Sequence, residues 1–327
     1  MRSPALRPSG LLLLAACSLI LPQSSPAQAD LPAAKPVPRM QVIPLDGDRA
    51  SIRRDGVELT VFHFGPNLER PFLFPLNGPA GRSLTRMGHP HDPEGHSHHN
   101  SVWLAHNDLN GENFWLDTGA GRVVHRKIIR FDDSDDAARI VAEADWVGKE
   151  GRVLMTERRG ITVRPLDQGQ WLLLIDAQFT PGAEPAVLGK TPFGLIGVRM
   201  AKTIGINDGG GRIRNSEGQE GEKGPNNAFR TRARWLDYSG PIANGVAEGI
   251  TLLDHPANPH HPTAFHVRGD GWMGASLTMD DAITITRESP LRLRYGLLVH
   301  AGVPAPEAVD RHWKAFAAEP IVDLPAK

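Results

Sequence analysis

Histidine is the residue of this 327-residue chain whose placement most clearly suggests chemistry. Ten of the fourteen histidines lie in two short segments, residues 89–106 and 255–266. The imidazole is the only side chain whose unperturbed pKa lies near neutral, and it is the commonest metal ligand in proteins. Two dense segments far apart in the sequence therefore predict one site, assembled by the fold from two parts of the chain.

The first segment predicts a loop followed by a strand. Pro90 and Pro93 exclude a helix, and we expect a strand to begin near His98. A β-bulge would change the alternation of side chains along that strand. Without one, alternation places His98, Asn100, Val102, Leu104 and His106 on one face, and His99, Ser101, Trp103 and Ala105 on the other.

Two histidines of this segment are the predicted acid/base residues. His99 and His106 are grouped with Asp108 as catalytic, and His98 is predicted to bind substrate. Two histidines and a carboxylate can hold a divalent ion, and the same groups can transfer protons without a metal. The residue types admit a divalent metal cofactor but do not identify one. A loop of hydrogen-bonded histidines is the alternative without a function.

Amides and carboxylates interleaved with aromatic residues follow directly, up to residue 115. Asn110 and Trp115 are predicted to contact a sugar, the amide binding hydroxyl groups and the indole covering the ring. Asn110-Gly111 is also a strong hairpin signal. A turn followed by core aromatics is therefore the competing interpretation.

Polar residues are dense again between residues 193 and 238. Arginine can clamp carboxylates and planar polar groups through two-point contacts, so Arg199 on a predicted strand is a candidate for substrate binding. A structural salt bridge is its alternative. Arg230, Arg232 and Arg234 have strand spacing and could form a solvated face. The substrate-binding candidates in this region besides Arg199 are Asn215, Glu217, Arg234 and Tyr238.

The second histidine segment contains three prolines in the seven residues 256–262, which predicts a rigid loop leaving a strand. Rigidity favours a binding site because less ordering entropy is lost when a ligand binds. His255 is predicted to be catalytic. The residues predicted to bind substrate here are Asn258, His261 and His266.

Short apolar and β-branched runs bounded by turn formers must position these residues. Such runs, with 34 glycines and 28 prolines in the chain, predict a mainly β protein with one large antiparallel β-sandwich. Helical spacing is evident only near the C-terminus, over residues 305–318. The predicted strands include Gly56–Phe64, Phe72–Leu76, Ser101–His106, Ala138–Trp146, Arg152–Val163, Trp171–Thr180, Ile250–Asp254, Gly271–Leu277 and Leu291–His300.

The N-terminus predicts export. Residues 1–29 have a positive start, an apolar run and a small-residue cleavage site at Ala29, as a signal peptide does. Residues 30–40 form a proline-rich lead-in, and residues 41–327 are expected to be a single β-sandwich domain. We expect a periplasmic or extracellular protein. The alternative is a lipoprotein anchored to a membrane through Cys17, the only cysteine.

Charge and hydropathy exclude two classes of partner. The formal net charge of −1 gives no basic field for nucleic acid. No segment after the signal has eighteen consecutive apolar residues, so no transmembrane span is predicted. The expected partner is a small carbohydrate or glycoside.

Residues 98–115 resemble the long motif of the PmoA-like family, formerly a domain of unknown function and found in many exported bacterial proteins. They read His-His-Asn-Ser-Val-Trp-Leu-Ala-His-Asn-Asp-Leu-Asn-Gly-Glu-Asn-Phe-Trp. Residues 215–218, 234–240 and 254–259 resemble its later motifs, so the resemblance covers nearly the whole mature chain. The chain departs from the family at Asn100 and Ser101, where a basic residue and glycine are frequent.

This resemblance implies two different activities. The family name implies methane oxygenation. The family's frequent encoding beside sugar oxidoreductases and 3-keto-glycoside-processing proteins implies carbohydrate metabolism. The β-rich pattern is also compatible with a galactose-mutarotase-like supersandwich, whose sites pair histidines with carboxylates.

Three functions are therefore considered. The first is a periplasmic carbohydrate-active enzyme, a lyase, hydrolase or epimerase acting on a sugar or oxidised glycoside through histidine acid/base chemistry. The second is a copper- or iron-dependent oxygenase. The third is a carbohydrate-binding protein without catalytic activity.

Overall fold

The computed structural model describes residues 36–89, 91–92, 95–119 and 121–325. The described residues from Pro38 onward form one compact unit. The predicted signal peptide and Cys17 lie outside the described residues, as do residues 30–35 of the predicted lead-in. No helix among those described is long and apolar enough to cross a membrane.

Strands dominate the described chain. The described residues include two helices, α1 (Ile206–Gly209) and α2 (Pro306–Ala318), with single 3₁₀ turns at Lys149–Gly151, Asp167–Gly169 and Lys202–Ile204. The strands are β1 (Met40–Leu45), β2 (Arg49–Arg54), β3 (Val57–His63), β4 (Phe72–Leu76), β5 (Val102–His106), β6 (Arg122–Asp133), β7 (Ala138–Val147), β8 (Val153–Pro165), β9 (Trp171–Pro181), β10 (Ala186–Leu188), β11 (Gly194–Arg199), β12 (Arg212–Asn215), β13 (Thr231–Arg232), β14 (Trp235–Ala243), β15 (Val246–Asp254), β16 (Ala264–Arg268), β17 (Trp272–Ser276), β18 (Ile283–Ile285) and β19 (Leu291–Ala301).

Within the described residues these strands build two large sheets and one small one. The first large sheet has the order β1-β2-β3-β4-β5-β11-β17-β16-β13. The second has the order β12-β14-β15-β19-β9-β8-β7-β6, and β10 pairs with β18. The pairs that build the sites discussed below, β5 with β11, β11 with β17 and β16 with β17, are antiparallel. The predicted class, a mainly β protein with a large antiparallel sandwich and a short C-terminal helix, is confirmed.

The main core lies between the two large sheets. It takes Leu104 and Ile196 from the first sheet and Leu252 and Leu297 from the second, all almost fully buried. Burial of such side chains is the dominant favourable term in folding. The alternation of strand residues therefore directs the remaining half of each sheet's side chains outward.

Each outer face is covered differently. On the outer face of the first sheet, residues that alternate with the core residues along β5 join other aromatic residues in a separate cluster. Its members are Phe72, Trp103, Ala105, Trp115 and Trp272. On the second, helix α2 packs Val309 and Phe316 onto Leu174, Trp235 and Leu253. The aromatic cluster on the first sheet is the floor of the candidate site.

Candidate functional site

The site begins with four neighbouring strands of the first sheet. One register row crosses them: Trp103 on β5 lies opposite Gly197 on β11, Gly197 opposite Gly274 on β17, and Gly274 opposite His266 on β16. A Cβ at Gly197 would lie 2.7 Å from ring atoms of both Trp103 and Trp272, and one at Gly274 would lie 2.7 Å from the Trp272 ring. The two glycines therefore leave room for both indoles to lie on the sheet.

His99 packs on this indole floor. Its ring centroid lies 5.5 Å from the rings of Trp103 and Trp272, with interplanar angles of 27° and 14°. The residue is 6% exposed, and its Nδ1 is buried without a hydrogen-bond partner among the described residues. Strand β5 starts only at Val102, because Ser101 has φ 59° and turns the chain there.

A cavity of about 490 Å³ opens above the floor. That volume falls within the usual range for small-molecule sites. Its walls combine aromatic rings with imidazoles and a few polar groups. The lining residues are Gly95, His96, His98, His99, Asn107, Trp115, Leu116, Phe193, His266, Arg268, Asp270 and Trp272.

Burial keeps three imidazoles of this cavity neutral, those of His98, His99 and His266. It lowers the pKa of His98 to about 4, with a further contribution from the positive charge of Arg70. It lowers the pKa of His266 to about 4, with Arg230 adding to the effect. The pKa of His99 is also lowered strongly, by burial and then by Arg199. A neutral imidazole offers one N–H donor and one nitrogen acceptor, so each of these three rings can donate one hydrogen bond and accept another at neutral pH.

An ion pair supports the cavity from one side. Arg199 is fully buried, and its Nη1 lies 2.9 Å from Asp270 Oδ1. Burial alone would raise the pKa of Asp270, but the pairing with Arg199 holds that pKa below its usual value. Asp270 therefore faces the cavity as a carboxylate whose charge is already compensated.

A family comparison can now be placed beside this geometry. Residues 49–314 match the family described as "Family of unknown function (DUF6807)". The chain belongs to this family. No curated protein is significantly similar to it in sequence.

Solved structures also match this DUF6807 protein. One is a candidate mutarotase from Salmonella typhimurium, with 11% identity and a TM-score of 0.36, covering 82% of this chain and 97% of that one. Another is a GalM/aldose epimerase homologue from C. elegans, with 8% identity and a TM-score of 0.37, covering 81% and 99%. A third is a candidate aldose 1-epimerase from Escherichia coli K12, with 15% identity and a TM-score of 0.33, covering 80% and 100%.

The cavity of the DUF6807 protein unites only part of the predicted site. His98, His99, Trp115 and His266 line it. Arg199 reaches it through Asp270 and is also the structural salt bridge of the alternative interpretation. The remaining predicted residues lie elsewhere.

His106 does not line the cavity. It alternates with Trp103 and Ala105 along β5, so it lies on the opposite face of the sheet from the aromatic floor. Its Nε2 lies 2.9 Å from Thr278 Oγ1, and its Nδ1 accepts a hydrogen bond from the Asp108 amide. Both ring nitrogens are thus occupied, and a proton-transfer role together with His99 has no geometric support.

Asp108 and Asn110 build a turn. Asp108 Oδ1 accepts a hydrogen bond from the Gly111 amide, and Asn110 and Gly111 have φ 51° and 81°. The Asn110 side chain accepts from the Val187 amide and donates to the Pro185 carbonyl. These contacts support the hairpin interpretation of Asn110-Gly111, while Trp115 beyond the turn reaches the cavity.

The residues predicted between 215 and 238 make internal contacts. Asn215 is buried and its side chain joins Gln219 to Thr231. Exposed Glu217 accepts from the Ser216 hydroxyl. Arg234 covers the Trp313 ring of helix α2. The Tyr238 hydroxyl donates to the Arg268 carbonyl and accepts from the Ile206 amide.

Two histidines of the second segment, His255 and His261, contact helix α2 and the residue that follows it. His255 Nε2 bonds to the Glu319 carbonyl, and His261 Nδ1 lies 2.7 Å from Asp254 Oδ2 while its ring stacks on Trp313. Asn258 uses both side-chain atoms, bonding to Asp254 and to the Arg294 backbone. None of the three lines the cavity. Of the segment's predicted residues, His266 alone lines it.

Several lining residues were not predicted. The β16–β17 hairpin contributes Arg268, Asp270 and Trp272. Phe193 lies just before β11, and Asn107 lies just after β5. Arg268 follows His266 with strand spacing, which is a signal that both side chains share a face. The pairing of Arg199 with Trp272, and of Trp272 with Arg268, is visible only in the folded sheet.

No group of three or more His, Cys, Asp or Glu residues in the described part of the chain is arranged to hold a metal ion. His89 Nε2 lies 3.6 Å from Asp270 Oδ2, and His91 Nε2 lies 3.3 Å from Asp208 Oδ1. His96 Nδ1 lies 2.7 Å from Asp92 Oδ2. Each of these three histidines is thus paired with a different carboxylate.

The neutral histidines predict a pH-dependent stability. Burial lowers the pKa of His106 to about 4, as it does for His98 and His266. In the unfolded chain these three histidines take up protons near pH 6.5, whereas in the folded protein they remain neutral down to about pH 4. The free energy of unfolding should therefore fall as the pH drops from about 6.5 to about 4.

Each of these histidines adds up to about 1.4 kcal/mol per pH unit to that slope. Denaturant unfolding at pH 8, 6 and 5 measures it. His106→Gln should lower the slope by one histidine's share, which separates the effect from that of the carboxylates. An equal slope in the variant and the parent would contradict the assignment.

Proposed function

We propose that this DUF6807 protein is a carbohydrate-active enzyme that transfers protons on a bound sugar, as an epimerase or a lyase. The observation that carries the proposal is His99. It is a buried neutral imidazole on an indole floor, its Nδ1 has no hydrogen-bond partner among the described residues, and it lines a cavity of about 490 Å³.

The lining favours a sugar over an apolar ligand. Trp115 and Trp272 present aromatic surface suited to the apolar face of a pyranose ring. Asn107, Arg268 and the imidazoles supply donors and acceptors for hydroxyl groups. A mostly apolar pocket with a few placed polar groups is the usual form of a small-molecule site.

Proton transfer fits the lining better than two-carboxylate hydrolysis. Glycoside hydrolysis ordinarily needs a pair of carboxyl groups flanking the bond. Asp270 is the only carboxylate among the described lining residues, and it is paired with Arg199. His98, His99 and His266 offer neutral imidazoles instead.

In the proposed reaction His99 accepts a proton from a carbon next to a carbonyl or from a hydroxyl group of the sugar. A second imidazole of the cavity takes up a proton from solvent and delivers it to the substrate, and His99 releases its proton to solvent, so that both rings return to the neutral form. In an epimerase the proton returns to the opposite face, so that no atom is gained or lost. Arg268 and the imidazole N–H groups stabilise the oxyanion that develops on the substrate.

Solvent exchange tests this proposal. Purified protein is incubated in D₂O with a panel of aldoses and 3-keto-glycosides, and NMR spectroscopy follows deuterium at each sugar carbon and the anomer and epimer ratios. We expect exchange or a new double bond with at least one compound. Binding detected by tryptophan fluorescence without any exchange or product would support the non-catalytic carbohydrate-binding alternative.

We further propose that the protein works outside the cytoplasm and belongs with the PmoA-like proteins. The signal-like residues 1–29 and the motif in residues 98–115 support this. Mass spectrometry of the exported protein would distinguish a chain that starts at Asp30 from one lipidated at Cys17. Retention of an unprocessed chain in the cytoplasm would contradict it.

A further inference from the structure

Two arginines lie together at the His266 end of the cavity. The guanidinium carbons of Arg230 and Arg268 are 4.9 and 5.8 Å from the centroid of the Phe229 ring. That ring lies 5.3 Å from the ring of His266, and both His266 and Arg268 line the cavity. The two guanidinium groups are thus held on one aromatic ring, Arg268 in the cavity lining and Arg230 behind it on the Phe229 ring that contacts His266.

Within the described residues, few protein groups bond to these two guanidinium groups. Arg268 Nε lies 2.8 Å from Glu222 Oε1, and the other oxygen of Glu222 accepts from the Gly269 amide. The terminal nitrogens of Arg268 make no hydrogen bond among the described residues, and neither does the guanidinium of Arg230. Two positive charges therefore face one carboxylate that is already engaged.

Arg230 differs from its neighbours in this respect. Arg232 bonds to Asp280 and to the carbonyls of His260 and Pro262. Arg234 contacts Asp310 and Trp313. Of the three arginines with strand spacing, only Arg230 has a guanidinium group without a hydrogen bond or ion pair to a described residue.

Arg230 also sits in an unfavourable backbone conformation. Its φ of 59° lies in the left-handed region, which non-glycine residues seldom adopt. Its amide bonds to the Phe265 carbonyl, one residue before His266. The chain thus holds Arg230 beside the strand that carries His266, although the backbone conformation of Arg230 is unfavourable.

The other charged groups at the cavity balance one another. Arg199 pairs with Asp270, and Arg86 donates to three backbone carbonyls, of Met200, Gly88 and Asp270. Asp208, 3.3 Å from His91, also acts on both arginines. The uncompensated positive charge therefore belongs to Arg230 and Arg268.

We infer that the substrate is an anionic sugar, one that carries a carboxylate or a phosphate group bound by Arg230 and Arg268. Planar guanidinium groups bind both anions through two parallel hydrogen bonds. The inference rests on the proposed function, because it places the anion on the sugar that the aromatic floor holds.

Equilibrium binding followed by tryptophan fluorescence tests it at low ionic strength. The probes are glucose, glucuronate, galacturonate and glucose 6-phosphate, with inorganic phosphate as the anion alone. We expect at least one anionic sugar to bind about tenfold more tightly than glucose, the size expected from one charge-assisted hydrogen bond. The uronate and phosphate arms identify the group that is recognised.

Three variants sharpen the test. Arg230→Met should remove most of the preference for the anionic sugar. Glu222→Gln should tighten its binding several-fold, because the competing carboxylate is lost and the Gly269 contact can be kept. Lys314→Met removes the same charge from helix α2 and should change nothing.

The outcomes separate the two proposals. Equal affinity for glucose and for every anionic sugar, or equal effects of Arg230→Met and Lys314→Met, would overturn the inference while the proposed function stands. Failure of every sugar to bind would overturn the proposed function and this inference with it.

Discussion

Replacing His99 by phenylalanine should reduce turnover by about 10²- to 10⁴-fold, the usual contribution of a positioned acid/base group. Phenylalanine keeps the ring that packs on Trp103 and Trp272 at 5.5 Å and removes only the nitrogens. The fold should therefore persist while proton transfer is lost. Rates of deuterium exchange or product formation, with near-ultraviolet circular dichroism as the check on folding, measure this.

His91→Phe is the matched control. His91 belongs to the same segment, its side chain is 60% exposed, and it does not line the cavity. Its replacement should leave turnover within about twofold, because surface changes away from a site have small effects. A folded His99→Phe protein with unchanged turnover would show that His99 is not the base.

The second large effect concerns stability. Arg294→Met should lower the free energy of unfolding by about 3–5 kcal/mol, as expected when one partner of a buried ion pair is removed. Arg294 and Asp176 are almost fully buried, with Nε 2.9 Å from Oδ1. Arg294 also donates to the Pro320 carbonyl, and its backbone holds Asn258. Denaturant unfolding at pH 7 measures the loss.

Two comparisons test the cause. Arg212→Met removes an arginine from an exposed pair with Glu220 and should cost at most about 1 kcal/mol. The double variant Asp176→Leu/Arg294→Met leaves no buried charge and should recover much of the stability. A loss of similar size in Arg294→Met and Arg212→Met would mean that burial of the Asp176 charge is not the cause.

This second result bears on the histidine segment at residues 255–266. His255, Asn258 and His261 contact Arg294, Glu319 and helix α2, so they belong to the structure that closes the outer face of the second sheet. We therefore expect Arg294→Met to disturb this loop and to leave the aromatic floor of the cavity intact.

Local patterns predicted much of the fold. Predicted strands such as Phe72–Leu76 and Ala138–Trp146 match β4 and β7 closely, and the predicted helix over 305–318 is α2. Strand β6 was missed because its charged residues and partial exposure give it little apolar alternation. Patterns of this kind depend on neighbours in sequence, which is why they can be recognised without a structure.

In the first histidine segment, the predicted alternation of side chains accounts for part of the site. The alternation assigned His99, Trp103 and Ala105 to one face, and the structure places Trp103 and Ala105 in the aromatic cluster on which His99 packs. The same alternation already separated His99 from His106. The alternation places His98 on the other face, yet His98 lines the cavity. Ser101 has a positive φ, so the strand begins only after it and the alternation does not extend back to His98.

The sequence by itself determined the β-rich class, the C-terminal helix, the Asn110-Gly111 turn and the histidine-rich character of the site, because each follows from residue types and short spacings. Only the tertiary structure decided which residues share the cavity. Trp272, Arg268 and Asp270 join His98 and His99 because β16 and β17 pair beside β11. His255 and His261 are excluded because they follow β15, a strand of the other sheet. Strand order is set by packing between distant segments, and no local spacing encodes it.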